Sequence, residues 1–259
     1  MCSYVILSAQ PPVVVPKEIQ KQIPRGFIAM DCVQGDLNND SLKDVILILK
    51  SIKEDISVEE DSSIDDINRP FLLYTAEKNK QWKLTARNDS IVKCKLCGGA
   101  FDPYEETTIE KGGRFTLSFY GGRSDRWSVV YHFKYSSTNN NWNLETIENS
   151  TYSTHDPDKT AKTITIGAEE LVGKNIRNVR DDDGEEKNWV VVADKTFFYN
   201  QPSLAGKPRK GYLMKGDKVS SYNETVNFIQ CYFTNDKGKD TEGFILKKDL
   251  KQAPKNDIN

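Results

Sequence analysis

Three groups of residues in this chain have the types and spacing to do chemistry. The sharpest is Gly35-Asp36-Leu37-Asn38-Asn39-Asp40-Ser41-Leu42-Lys43-Asp44-Val45-Ile46. Alternation at Asp36, Asn38 and Asp40 turns three oxygen-bearing side chains inward in a tight loop. Asp44 adds a carboxylate, and the Leu42 carbonyl offers a further oxygen. Hard oxygen donors in that number suit Ca2+ better than zinc or magnesium. The twelfth position from Asp36 is Leu47, where an EF-hand needs a bidentate Glu, so this is not an EF-hand. The other reading is a polar turn whose carboxylates accept backbone amides without metal. A structural calcium brace at Asp36, Asn38, Asp40 and Asp44 is the preferred expectation.

The second group is Cys94-Lys95-Leu96-Cys97-Gly98-Gly99. The chain has five cysteines, Cys2, Cys32, Cys94, Cys97 and Cys231, and an odd count argues against a dense disulfide scaffold. Half of a zinc knuckle is one reading, but no second CxxC or HxxxH completes four ligands. A redox pair would open a helix in a βαβ setting, whereas this one follows the strand-like Ser90-Ile91-Val92. A local disulfide, Cys94 to Cys97, bracing a turn is expected. The third group is the two histidines, His132 and His155, which nothing in the sequence orients against a nucleophile. There is no Gly-x-Ser-x-Gly, phosphate loop or HExxH. A non-catalytic protein is therefore expected, with a paired-carboxylate hydrolase left open as an alternative.

Period-2 alternation and turn residues dominate the elements that must position these groups, and helical periodicity is nearly absent. Phe27–Cys32 reads as a strand leading into the acidic loop, and Val45–Leu49 as a strand buried on both faces. Residues 51–69 are acidic and read as a solvated loop. Three hairpins follow: Phe71–Ala76 with Trp82–Arg87, Thr107–Ile109 with Phe115–Tyr120, and Trp127–Tyr135 with Trp142–Ile147. In the last, Trp127, Val129, Tyr131, Phe133 and Tyr135 share one face. Ile164–Leu171 holds a short helix or strand, and Asp181–Glu186 is a charged linker. The fold class is all-β. An N-terminal antiparallel, propeller-blade-like sheet domain is expected over 21–160, a linker over 161–188, and a compact block of short strands over 189–254.

The net charge of −2 and pI near 5.9 offer no global attraction to nucleic acid, so no nucleic-acid partner is expected. No run of 18 apolar residues could span a membrane. Residues 1–20 read as a signal remnant or a flexible N-terminus. Met1–Gln10 has the look of the tail of an export signal. Lipidation at Cys2 is a second export reading, and a frayed cytosolic end is the alternative.

Three resemblances rest on these residues. Asp36, Asn38, Asp40 and Asp44 match the Asp-x-Asn/Asp-x-Asp-Gly-x-x-Asp of FG-GAP and VCBS calcium loops, with Ser41 where those usually have Gly. The match covers about 25 residues, and the family's role for those positions is calcium binding. Segment 24–158 resembles an uncharacterised group of exported bacterial proteins through Gly35–Asp44, Ala86-Arg-Asn-Asp89, Cys97-Gly-Gly, Tyr120-Gly-Gly and Asp156-Pro-Asp-Lys159. That resemblance implies export to the periplasm or outer envelope. Lys195–Pro202, Lys215-Gly-Asp-Lys-Val219, Phe228–Phe233 and Thr241–Leu250 resemble bacterial SH3-like (SH3b) domains, with Phe244 where Trp is common. This last implies a small barrel that holds a cell-wall stem peptide or a protein partner by aromatic faces and edge hydrogen bonds. Phe198, Tyr199, Tyr222 and Phe228 are the candidate ligand-binding aromatics, with Asp217 and Glu242 as amine partners; core packing is the competing reading for each aromatic. The expected function is an exported, non-catalytic binding protein. The runner-up is an immunity or inhibitor protein that blocks an envelope-targeting toxin or hydrolase, using an acidic lure at 54–66; a cell-wall hydrolase comes third.

Overall fold

The computed structural model describes residues 13–55, 69–79, 81–169, 171–181, 187–225, 227–235 and 237–253, with backbone only at Asp55, Tyr222 and Asn223. The protein is all-β: sixteen strands accompany two single-turn α-helices among these residues. It divides into two compact units, Met1–Thr165 with Gly173–Asp181, and Ile166–Val172 with Asp182–Asn259.

The first unit holds two antiparallel sheets. One runs in the order β1 (Phe27–Gly35), β2 (Asp44–Ser51), β3 (Arg69–Ala76), β4 (Trp82–Val92); the other in the order β5 (Tyr104–Glu110), β6 (Arg114–Gly122), β7 (Asp125–Ser136), β8 (Asn141–Ser153), β9 (Lys162–Ile166). The continuous apolar run of β2 is explained by burial on both faces: Val45 through Leu49 are at most 1% exposed. Val45, Leu47 and Leu49 pack with Leu72, Tyr74 and Ile19, the last delivered by α1 (Lys17–Gln20). Phe71 of β3, opposite Ile48, stacks on Phe115 of β6 at 5.8 Å, and Phe115 on Phe133 of β7 at 4.8 Å. Each such side chain removed from water contributes roughly 1.5–3 kcal/mol.

The stretch expected as a linker is structured. It carries β9, preceded by α2 (Pro157–Thr160), and its residues 173–181 fold back onto β4. There Ile176 and Val179 are 0% exposed, and the buried Asn88 amide donates to both of their carbonyls, at 2.8 and 2.7 Å. Two apolar residues three apart bury themselves more favourably than a solvated linker would.

The second unit is a five-stranded antiparallel sheet, β15 (Asp240–Leu246), β14 (Phe228–Thr234), β13 (Lys218–Glu224), β10 (Lys187–Val191), β16 (Leu250–Gln252), with a two-stranded ribbon of β11 (Lys195–Phe197) and β12 (Tyr212–Met214). Trp189, Val191, Phe198, Leu213, Val219, Ile229, Cys231, Ile245 and Leu250 form its core. The sheet is open where a barrel was expected. Among the described residues the outer edge of β15 meets Tyr199 in a two-bond bridge at Phe244 and no further strand, and β16, three residues long, pairs with β10.

Candidate functional site

The β1–β2 connection is the acidic loop, and its backbone explains its oxygens. Asn39 and Ser41 both take positive φ, 63° and 68°, conformations favoured by Gly and tolerated by Asn. The turn so made points amides inward at the carboxylates. Asp36 accepts from the Asp40 and Ser41 amides at 3.2 and 3.0 Å, Asn38 Oδ1 from the Asp40 amide, and Asp40 Oδ1 from the Leu42 amide at 2.8 Å. Asp40 Oδ2 takes the Asn38 side-chain amide. Asp44 is 0% exposed, and its two oxygens accept from Leu37 N–H and Ala76 N–H, each at 2.9 Å. Burial pushes the Asp44 carboxyl up from 3.8 to about 6 against those two hydrogen bonds, with the nearby Asp40 and Asp36 charges adding to the rise. Leu37 is buried, and its carbonyl accepts the indole N–H of Trp142 at 2.7 Å. Gly113 lets the loop sit down: a Cβ there would stand 3.0 Å from Leu37 O and from Asn39 Nδ2.

The loop is thus a knot of backbone amides tied between the two sheets of the first unit. Among the described residues no three His, Cys, Asp or Glu side chains gather where a cation would sit. Asp44 gives one oxygen to the amide of Leu37 in the loop and the other to that of Ala76 at the end of β3, so its carboxylate ties the loop to the sheet.

Cys94 and Cys97 form a disulfide across a single turn, their Cα atoms 5.1 Å apart. Cys231 is a core thiol and Cys32 a half-buried one; burial, then the Asp31 charge, pushes Cys32 up to about 11. His132 lies 3.5 Å from Glu148 on the outer face of β7, and His155 is exposed in a turn. Burial holds both thiols toward the protonated form. The acidic lure is mostly outside the described residues, and its first member is not solvated: Glu54 is 2% exposed and paired with the buried Arg69 at 2.7 Å.

In the second unit the six candidates separate. Phe198 and Phe228 are core side chains, 2% and 1% exposed, so the expectation that they face a ligand is corrected. Tyr199 is half-buried with its ring edge-on to Phe228 at 5.3 Å. Glu242 is exposed and accepts from the Gln230 side chain at 3.0 Å. Asp217 stands apart, where its carboxylate caps the β12 turn through the Met214 amide at 2.8 Å. The Tyr222 side chain lies outside the described residues.

No family model matches the chain, and no curated protein or solved structure does either.

Sequence reasoning missed the exposed side of this unit. On the ribbon, Thr196 and Leu213 turn inward at 2% exposure each, which leaves Lys195, Phe197, Tyr212 and Met214 outward. Tyr212 and Met214 are each 50% exposed. Phe197 and Tyr212 are cross-strand partners 6.1 Å apart, and the Lys195 ammonium lies 3.7 Å from the Tyr212 ring centre. The signal was present in Phe197-Phe198: period 2 allows only one of them outward, and pairing with β12 turns Thr196 and Phe198 inward and Phe197 outward.

Proposed function

We propose that this chain is an exported, non-catalytic binding protein whose second unit holds an acidic peptide, either a cell-wall stem peptide or an exposed segment of a protein partner. The observation that carries the reading is the outward face of the ribbon, Lys195, Phe197, Tyr212 and Met214. Two half-exposed apolar side chains and an aromatic pair gathered on one face are a recognition surface rather than scattered exposure. Over residues 187–253 the local charge favours an anionic occupant, with twelve Lys and Arg against seven Asp and Glu, although the acidic residues of 166–172 and 182–186 bring the whole unit close to neutral. On the same unit, open cavities of about 440 and 330 Å3, one lined by Leu204, Leu246 and Lys248 and the other by Tyr199 and Lys207, offer room for peptide side chains. The Cys94–Cys97 disulfide supports an oxidising compartment, and hence export.

The test is co-sedimentation of the intact chain with purified peptidoglycan beside a Phe197→Ala/Tyr212→Ala variant. The wild type is expected to pellet and the variant to stay soluble. If neither pellets, or both pellet alike, the wall-peptide reading falls.

A further inference from the structure

The loop from Cys94 to Pro103 in the first unit plays no part in that reading, yet it is held at every point. The disulfide closes its first turn. Gly122 N–H donates to Gly98 O at 2.8 Å, and a Cβ at Gly98 would stand 2.2 Å from Phe101 O. At Gly122, with φ +94°, a Cβ would stand 1.9 Å from Asp125 O within the β6–β7 turn, and at Gly121 one would stand 2.7 Å from Gly98 O, so the loop seats against β6 only where β6 has glycine. At the far end Asp102 takes two hydrogen bonds from Arg69, at 2.7 and 2.6 Å. Between these anchors the chain displays Phe101, 45% exposed.

Phe101 is not alone. Its ring lies parallel to Tyr120 (5° between planes, centroids 6.4 Å apart), and the Arg126 guanidinium carbon stands 4.6 Å from the Phe101 centroid and 5.8 Å from that of Tyr120. The Tyr120 hydroxyl lies 2.8 Å from that of Tyr152. Glu105 is exposed on the bulge of β5, the strand that pairs with β6. Across the sheet from Tyr120 run Ser128 and Ser150, and Ser150 is hydrogen-bonded to Thr163 at 2.8 Å.

We propose that this platform binds a pyranose-based oligosaccharide. Parallel aromatic faces accept the C–H face of a sugar ring, for which their negative quadrupole is suited. Around them a guanidinium, two phenols, a carboxylate and a row of hydroxyls supply the mixed donors and acceptors that vicinal sugar hydroxyls need. Arg126 at the rings and Glu105 on the adjoining strand give the platform both signs of charge, which suits a neutral polyhydroxyl chain over a polyanion. The anchoring removes the ordering cost that a mobile loop would charge to binding. This site lies wholly on the first unit and stands independently of the peptide site on the second.

The test titrates the intact protein with the N-acetylglucosamine hexamer and with cellohexaose, followed by calorimetry and by NMR shifts. Saturable binding of at least one is expected, at least tenfold weaker in Phe101→Ala and in Tyr120→Ala, and kept within about threefold in Phe101→Tyr. Phe101 is half exposed, so an unchanged far-UV spectrum and melting temperature in Phe101→Ala are expected to accompany the loss. No response to either sugar up to about 10 mM, or equal binding by wild type and Phe101→Ala, overturns the proposal. A sugar-free stem peptide bound in place of the sugars, and lost in Phe101→Ala, also overturns it, in favour of a peptide site. A stem peptide lost only in Phe197→Ala/Tyr212→Ala speaks to the second unit and leaves the sugar result to stand by itself.

Discussion

Asp44 is the residue at which burial and hydrogen bonding pull hardest against each other. Its folded carboxyl titrates near 6 and that of the unfolded chain near 3.8, so the folded state holds the proton more tightly. The stability this proton gives is full below about pH 4 and is lost as pH rises through 6; a shift of about two units corresponds to about 3 kcal/mol. Asp44→Asn abolishes the titration, although its Nδ2 must face one of the two amides and the variant is less stable throughout. Urea unfolding of both proteins from pH 4 to 6.5 should show wild type losing about 2–3 kcal/mol of its advantage over Asp44→Asn. A constant difference would mean that the carboxyl does not titrate there. Repeated at pH 7 with 5 mM CaCl2, the wild-type melting temperature is expected to stay within about 1 °C. An ion held at 100 times its Kd would add about 2.7 kcal/mol, and such a rise, absent from Asp36→Asn, would make the loop a calcium site. The spacing of Asp36, Asn38 and Asp40 was enough to read a tight oxygen-rich turn. It was not enough to say whether those oxygens face an ion or amides, because that depends on the positive φ at Asn39 and Ser41.

At the scale of elements, the loop carrying Phe101 is held by a disulfide and by an ion cluster, and magnitudes say which matters more. Closing a turn of about four residues with a disulfide is worth about 2 kcal/mol by chain entropy. Arg69 is 1% exposed between Glu54 and Asp102, and removing it leaves Glu54 buried without a partner, at a cost of about 3–5 kcal/mol. Denaturant unfolding should therefore rank Arg69→Ala below Cys94→Ser/Cys97→Ser; the reverse order would show that Glu54 finds water or another donor. Nothing in the sequence near Arg69 announced this pairing, since its partners lie 15 and 33 residues away. The hairpins themselves were legible, because alternation persists along them. Their ends were not: β8 continues to Ser153, well past the Trp142–Ile147 run, on polar and aromatic residues whose pairing with β7 replaces apolar signal. Parity failed at one point, Phe197-Phe198, and there it inverted the proposed ligand face.

For the whole molecule, the near-neutral total hides a division. Residues 187–253 carry a net of +5, which leaves −7 on the rest of a chain whose sum is −2; most of that −7 lies close by in sequence, in the acidic residues of 166–172 and 182–186, so each unit as a whole is near neutral. A pI near 5.9 averages these, which is why composition gave no hint of an anionic partner. The two proposed sites sit on opposite sides of this division and should answer salt differently. Charges on residues 187–253 act on an acidic wall peptide through solvent, over a screening length of about 10 Å at 0.1 M salt and about 3 Å at 1 M. Peptidoglycan pelleting should fall several-fold between those concentrations, with the aromatic pair and Met214 supplying what remains. Sugar binding at Phe101 and Tyr120, built on stacking and on a balanced Arg126 and Glu105, should change by less than about twofold over the same range. If pelleting is flat in salt while Phe197→Ala/Tyr212→Ala still abolishes it, the ribbon binds through apolar contact alone and the basic charge of residues 187–253 serves something else. If the sugar affinity also collapses with salt, the ligand at Phe101 is charged, and the balance between Arg126 and Glu105 has been misjudged.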